Sequence, residues 1–221
     1  MKNLVVINLG GGSGHSRVIG GRTVLERVLG YASRLAPMAD TAIVSAAPLD
    51  PSAAGGIRKF VLRDGTDRSL LSALMELARG YDNVYHVFGD CPFLDPELGL
   101  RMMENHLRYF AEYTFADGYP FGLAPEIVKT SALPAIAALV KDPPSPAGRD
   151  TLFTLIGRDI NSFDLETELS PADLRLLRAS LTTDTRRNTL LCERLAAGDP
   201  RSAEDRSEEH TSELQSPNKI S

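Results

Sequence analysis

The stretch HVFGDCPFLDPEL (residues 86–98) decides how the chain is read. An apolar run, NVYHVF (83–88), stops at Gly89-Asp90-Cys91-Pro92, and Asp95-Pro96-Glu97 follows three residues later. A short apolar run closed by such breakers reads as a buried strand. Asp95 reads as a helix N-cap, with Pro96 in the first helical position that proline favours. Asp90 therefore stands at the carboxyl end of a buried strand, just before a helix. In open α/β sheets ligands bind outside the carboxyl ends of the strands. The stretch predicts a carboxylate facing a ligand crevice, with Pro92 turning the chain away.

The same alternation extends outward. LVVINL (4–9) is a β-branched run suited to a central parallel strand and is broken by Gly10-Gly11-Gly12-Ser13-Gly14. Thr23 and Glu26 form a capping-box pattern ahead of VLERVLGYASRL. Further strands are predicted over TAIVSAA (41–47), KFVLR (59–63), AEYTFA (111–116) and, late in the chain, LRASLTTD (177–184). Helices are predicted from Ser69 to Arg79, over LGLRMMENHLRYF, over IVKTSALPAIAALVKD with a kink at Pro134, over TLFTLIGRDI, and over TRRNTLLCERLAAG to Gly198. DGYPFGLAPE (117–126) is a shaped loop and DPPSPAGRD (142–150) a surface loop. Strands alternating with helices predict an α/β fold, a three-layer sandwich with a mostly parallel central sheet.

The 221 residues suit one domain, and 43% hydrophobic content supplies a core. A net charge of −5 with no long basic run argues against nucleic-acid binding. Cys91 and Cys192 form no metal or disulfide pattern, so a reducing compartment is expected. No run approaches the roughly 20 apolar residues of a membrane span, which predicts a cytoplasmic protein. Residues 206–221 (RSEEHTSELQSPNKIS) lack apolar periodicity, and their back-translation fits a sequencing adapter. The expected native domain is residues 1–205, continuing past Asp205.

The loop LGGGSGHSRVIGGR (9–22) joins a strand to a helix. Glycines let backbone N–H groups approach a phosphate, and the helix N-terminus favours anions. Candidate nucleotide-binding residues are Leu9, Gly10, Gly11, Gly12, Ser13, Gly14 and His15, with Arg17 and Arg22 as charges for a triphosphate. The spacing matches neither the Walker pattern nor a clean GxGxxG. Asp90 and Asp184 (in LTTDT) each follow a predicted strand, and two such carboxylates suit Mg²⁺ together with phosphate oxygens. Cys91 reads as a structural thiol, His86 as strand packing and His106 as a solvated helix face.

The order Gly-rich loop, TVLERVLGYA, GDCPFLDPEL, DGYPFGLAPEIV and LTTDT resembles cytidylyltransferases of the spore coat polysaccharide biosynthesis protein F and CMP-sugar-acid synthetase group. The resemblance covers residues 1–197 and implies a GT-A-like nucleotidyltransferase fold. It implies transfer of CMP from CTP to a sugar or sugar acid, with release of pyrophosphate, in cell-surface polysaccharide synthesis. It assigns Mg²⁺ to Asp90 and Asp184, catalytic charge to Arg17 and Arg22, and the acceptor side to Tyr119, Gly122, Leu123 and Glu126. A homodimer is among the expected assemblies. Three departures stand out: Arg22 replaces a lysine, Phe121 replaces the acceptor-side aspartate, and Arg187 and Asn188 fall where acids are usual. YTFADGYPFGLAPEI also resembles the front region of spiro-SPASM proteins. Two other functions therefore stay open: a catalytically degenerate binding domain at the front of a radical SAM/SPASM enzyme, and a glycosyltransferase using a nucleotide-sugar.

Overall fold

A seven-stranded sheet is built around central apolar runs that are buried on both faces. The computed structural model describes residues 1–10, 12–49, 55–172, 174 and 179–198. Strand β1 (Asn3–Asn8) lies at the centre. Its Val5 and Ile7 enter one core and Leu4 and Val6 the other, all fully buried. β1 pairs in parallel with β4 (Ala39–Ser45) and β6 (Asn83–Phe88), and β4 with β5 (Arg58–Val61). Beyond β6 the sheet continues through β8 (Glu126–Lys129), β7 (Tyr113–Asp117) and β9 (Leu165–Leu169). The order is β5-β4-β1-β6-β8-β7-β9, with β8 antiparallel to both neighbours. A separate hairpin joins β2 (Val18–Ile19) and β3 (Arg22–Thr23).

Helices cover both faces. α1 (Val24–Leu35), α3 (Pro96–Arg108) and α6 (Arg186–Gly198) contribute Val28, Met102 and Cys192 to the core that holds Val5 and Ile7. α2 (Asp67–Leu77), α4 (Leu133–Ala138) and α5 (Thr151–Ile156) contribute Leu74, Ile136 and Leu155 to the other. This is the expected three-layer α/β sandwich. The caps form as predicted: Thr23 and Glu26 make a reciprocal capping box, and the Asp95 carboxylate accepts the Glu97 and Leu98 N–H groups at 2.8 and 3.2 Å. No helix among the described residues is long and apolar enough to cross a membrane.

Four expectations are corrected. The segment read as one kinked helix begins as strand β8, because Ile127 and Val128 are β-branched, fully buried and paired with β6. β9, sequence LETEL, had no predicted element; its half-buried acids carry no apolar pattern, and its pairing with β7 makes it an edge strand. Over 179–184 the late segment makes a single bridge, Ser180 to Phe121, instead of a strand; residues 175–178 of that expectation lie outside the described residues. His106 is buried, 1% exposed, and bonds Thr114 Oγ1 at 2.8 Å and Asn83 Oδ1 at 3.3 Å. The expected 206–221 tail also lies outside the described residues.

Candidate active site

Three chain segments meet where β6 ends. Thr183 is fully buried and ties them together. Its N–H donates to the Asp90 carbonyl at 2.9 Å, and its hydroxyl donates to the Gly14 carbonyl at 2.9 Å. The approach is so close that a Cβ on Gly14 would lie 2.8 Å from the Asp90 Cβ and 3.0 Å from the Thr183 hydroxyl. Glycine is thus required there for packing of the glycine-rich loop on the strand end.

The result is a cavity of about 610 Å³. Leu9, Gly10, Gly12, Ser13, Gly14, Arg17, Asp90 and Asp184, all singled out in the sequence, line it together. Gly11 lies outside the described residues. His15 is not among the lining residues; its Nδ1 bonds the Gly12 carbonyl at 3.1 Å within the loop. Arg22 lies elsewhere. The β2–β3 hairpin carries it to a different cavity beside Glu26 and Arg34 of α1.

The residue that organises the cavity was not singled out in the sequence. Arg149 comes from the loop read as plain surface. Its Nη2 forms an ion pair with Asp90 Oδ2 and lies 3.6 Å from Asp184 Oδ2. Nothing in the local sequence marks it, because its partners stand 59 and 35 residues away (149 − 90 and 184 − 149). Burial alone would raise the Asp184 carboxyl, but hydrogen bonds from Thr182 (2.6 Å) and Asn188 (3.0 Å) and the charge of Arg149 hold it below the usual carboxylate range. Two carboxylate oxygens from separate segments thus reach one cationic nitrogen. Mg²⁺ takes the same donors, completed by phosphate oxygens and water. Among the described residues no group of three His, Cys, Asp or Glu side chains could hold a metal. The pair fits a metal that arrives with a phosphate. Burial pushes the adjacent Cys91 thiol well above its usual range, as suits a structural thiol.

A second cavity, of about 220 Å³, shares Phe88 and Arg149 with the first. Tyr119, Gly122 and Glu126 line it, with Phe121 and Phe153. Leu123 does not: it is fully buried in the core, and its carbonyl accepts the Asp95 N–H at 2.9 Å. Gly122 has φ +97°, and a Cβ there would lie 2.5 Å from the Leu181 carbonyl, so only glycine lets this loop pass the late segment. The guanidinium of Arg149 lies 5.1 Å from the Phe88 ring centroid and 5.3 Å from that of Phe121.

Glu126 is tied to the glycine-rich loop by a chain of hydrogen bonds. Gly10 N–H donates to Asn8 Oδ1 at 2.9 Å, which fixes the orientation of that amide. Asn8 Nδ2 then donates to His86 Nε2 at 3.3 Å. With Nε2 accepting, His86 is a neutral imidazole whose Nδ1–H donates to Glu126 Oε2 at 2.9 Å. The Tyr113 hydroxyl donates to Glu126 Oε1.

No protein-family model matches the chain. An uncharacterized protein of Treponema pallidum (strain Nichols) is 36% identical over 67 residues, 30% of this chain and 31% of that protein. The match thus spans under a third of either protein. Among solved structures, a cytidylyltransferase from Leptospira borgpetersenii superposes with a TM-score of 0.80 at 15% identity, covering 96% of this chain and 94% of that one. CMP:2-keto-3-deoxy-manno-octonic acid synthetase complexed with CTP gives 0.65 at 13% identity, over 90% of this chain and all of the other. The 4-diphosphocytidyl-2C-methyl-D-erythritol synthase of Anaerococcus prevotii gives 0.63 at 16%, over 89% and 99%. At identities this low the likeness is one of fold, and the fold of this chain is the one those cytidylyltransferases share.

Proposed function

We propose that the chain is a nucleotidyltransferase that transfers CMP from CTP to a small, sugar-sized acceptor and releases pyrophosphate. The observation that carries this reading is the convergence of the glycine-rich loop, Asp90, Asp184 and Arg149 on one cavity that adjoins a second through Phe88 and Arg149. One cavity suits the triphosphate and the other the acceptor, and the shared wall is where the reacting groups would meet. An acceptor oxygen forms a bond to the α-phosphorus while the bond from that phosphorus to the bridging oxygen breaks. Catalysis of this kind depends on positioning and charge neutralisation. Loop amides of Gly12 and Gly14, with Arg17, hold the phosphates. Asp90 and Asp184 hold Mg²⁺, which supplies positive charge to the triphosphate. Arg149, between the two carboxylates, is positioned to meet the charge that develops on the leaving pyrophosphate. Production of activated sugars for surface polysaccharide is the corresponding cellular role.

A second reading is a binding domain without turnover. It is favoured by Arg22 lining a different cavity and by Arg149 already neutralising both acids. Calorimetric titration of CTP with Mg²⁺ into the chain separates the outcomes, with ATP, GTP and UTP as controls and Asp90→Asn and Asp184→Asn as variants. Metal-dependent CTP binding that both variants lose, followed by pyrophosphate release with an acceptor, supports the transferase. Binding without release supports the second reading. A folded chain that binds no nucleotide refutes both.

A further inference from the structure

The acceptor-side cavity has an unusual chemistry for a polyhydroxylated anion. Its walls are largely aromatic: the Phe88 and Phe121 rings lie 6.4 Å apart, and the Phe115 and Phe153 rings 5.1 Å apart, edge to face. Arg149 spends one face of Phe88 and of Phe121, and the rings of Tyr113, Phe115 and Phe153 line the rest of the space. Ring faces are the negative pole of the aromatic quadrupole, and several of them around one space select cations.

The charged groups of the lining agree. Glu126 and Asp150 are acids, and Arg149 is engaged with Asp90 and Asp184. The two described partners of the Glu126 carboxylate, His86 and Tyr113, are hydrogen-bond donors, and no Lys or Arg pairs with it among the described residues. Each carboxylate oxygen accepts one of those bonds and has a lone pair left. A sugar acid would bring its own carboxylate against Glu126 and Asp150. An ammonium group would meet aromatic rings and a carboxylate that Arg149 does not pair.

We propose that the acceptor carries an alkylammonium group, bound between the aromatic walls and Glu126, with the nucleophilic oxygen at its other end. This rests on the transferase reading above and names its acceptor class. Two sources share that chemistry, an amino sugar and a phosphorylated amino alcohol.

Calorimetric titration of the full chain tests it with matched probes. Choline phosphate is compared with 3,3-dimethylbutyl phosphate, its uncharged-head isostere; glucosamine is compared with glucose; and glucuronate serves as the anion. The ammonium member of at least one pair should bind about tenfold more tightly than its neutral partner, and the pair that discriminates names the source. Glu126→Gln should erase that preference. Phe121→Leu, at a side chain already 41% exposed and so safe for folding, should reduce it about threefold. Equal or tighter binding of the neutral or anionic probe overturns the proposal, as does a preference that survives Glu126→Gln. CTP titration in parallel keeps the two readings apart. CTP binding without ammonium preference sinks the acceptor class alone, and ammonium preference without CTP binding sinks the transferase.

Discussion

The two ends of strand β6 each gather buried polar side chains, and they do opposite things with them. At the amino end, Asn3 Nδ2 donates to the Met38 carbonyl, Asn83 Nδ2 donates to Asn3 Oδ1, and His106 bonds both Asn83 and Thr114. Every member is uncharged and buried, and each bond satisfies the next. At the carboxyl end, the ionisable side chains of Asp90, Asp184, Arg149 and Glu126 converge, stand partly exposed and line cavities. A closed neutral network fixes strand register even where, as here, Asn83 and His106 border a cavity of about 680 Å³. A set of converging charges bordering open space has interaction capacity left over. Polarity within an apolar strand, even beside open space, therefore says little about function; what counts is whether ionisable side chains with unspent bonding capacity converge there.

The largest test of this contrast is pH. Burial and the nearby charge of Lys129 lower His106 from its ordinary 6.5 to about 4. The folded chain keeps this ring neutral between those values, while the unfolded chain protonates it. Stability from this group is full above pH 6.5 and falls by about 3 kcal/mol as pH drops to 4. Denaturant unfolding across that window should show the slope, and His106→Gln should flatten it; an unchanged slope in the variant would mean the amino end is not a closed neutral network.

Next in size is Asp90→Asn. It should weaken Mg²⁺-dependent CTP binding about a hundredfold, because it removes a carboxylate proposed to hold the metal and leaves Arg149 facing a neutral amide. Asn83→Ala, at the other end of the same strand, should cost about 2 kcal/mol of stability by orphaning its partners. Its CTP affinity, read in the same titration, should stay at the wild-type value, and a parallel loss would erase the distinction between the ends. Smallest is Arg149→Ala. Without the guanidinium neither carboxylate is held in an ion pair, and Mn²⁺ affinity of the nucleotide-free chain, followed by electron paramagnetic resonance, should rise about tenfold. A fall would assign Arg149 to holding the carboxylates in place instead of competing for them.

The parallel half of the sheet was legible because β1, β4 and β6 are continuous apolar runs followed by glycine-rich or turn sequences. The antiparallel half was not. β8 shares its apolar content with the helix that follows, and β9 is an acidic edge whose strand state depends on pairing with β7. Site residues divide in the same way. Asp90 could be read because a strand stop and a helix cap bracket it locally. Arg149 could not, since its role exists only where three distant segments meet.

By itself the sequence determined where chains of apolar residues must be buried, where helices start, and that Asp90 and the glycine-rich loop stand at strand ends. These are consequences of local backbone preference and of periodicity. Only the tertiary structure decided that Arg149 bridges Asp90 and Asp184, that the hairpin carries Arg22 to another cavity, and that His86 and Tyr113 orient Glu126 in an aromatic pocket. Such facts depend on through-space distances between residues far apart in the chain, which local preferences do not encode.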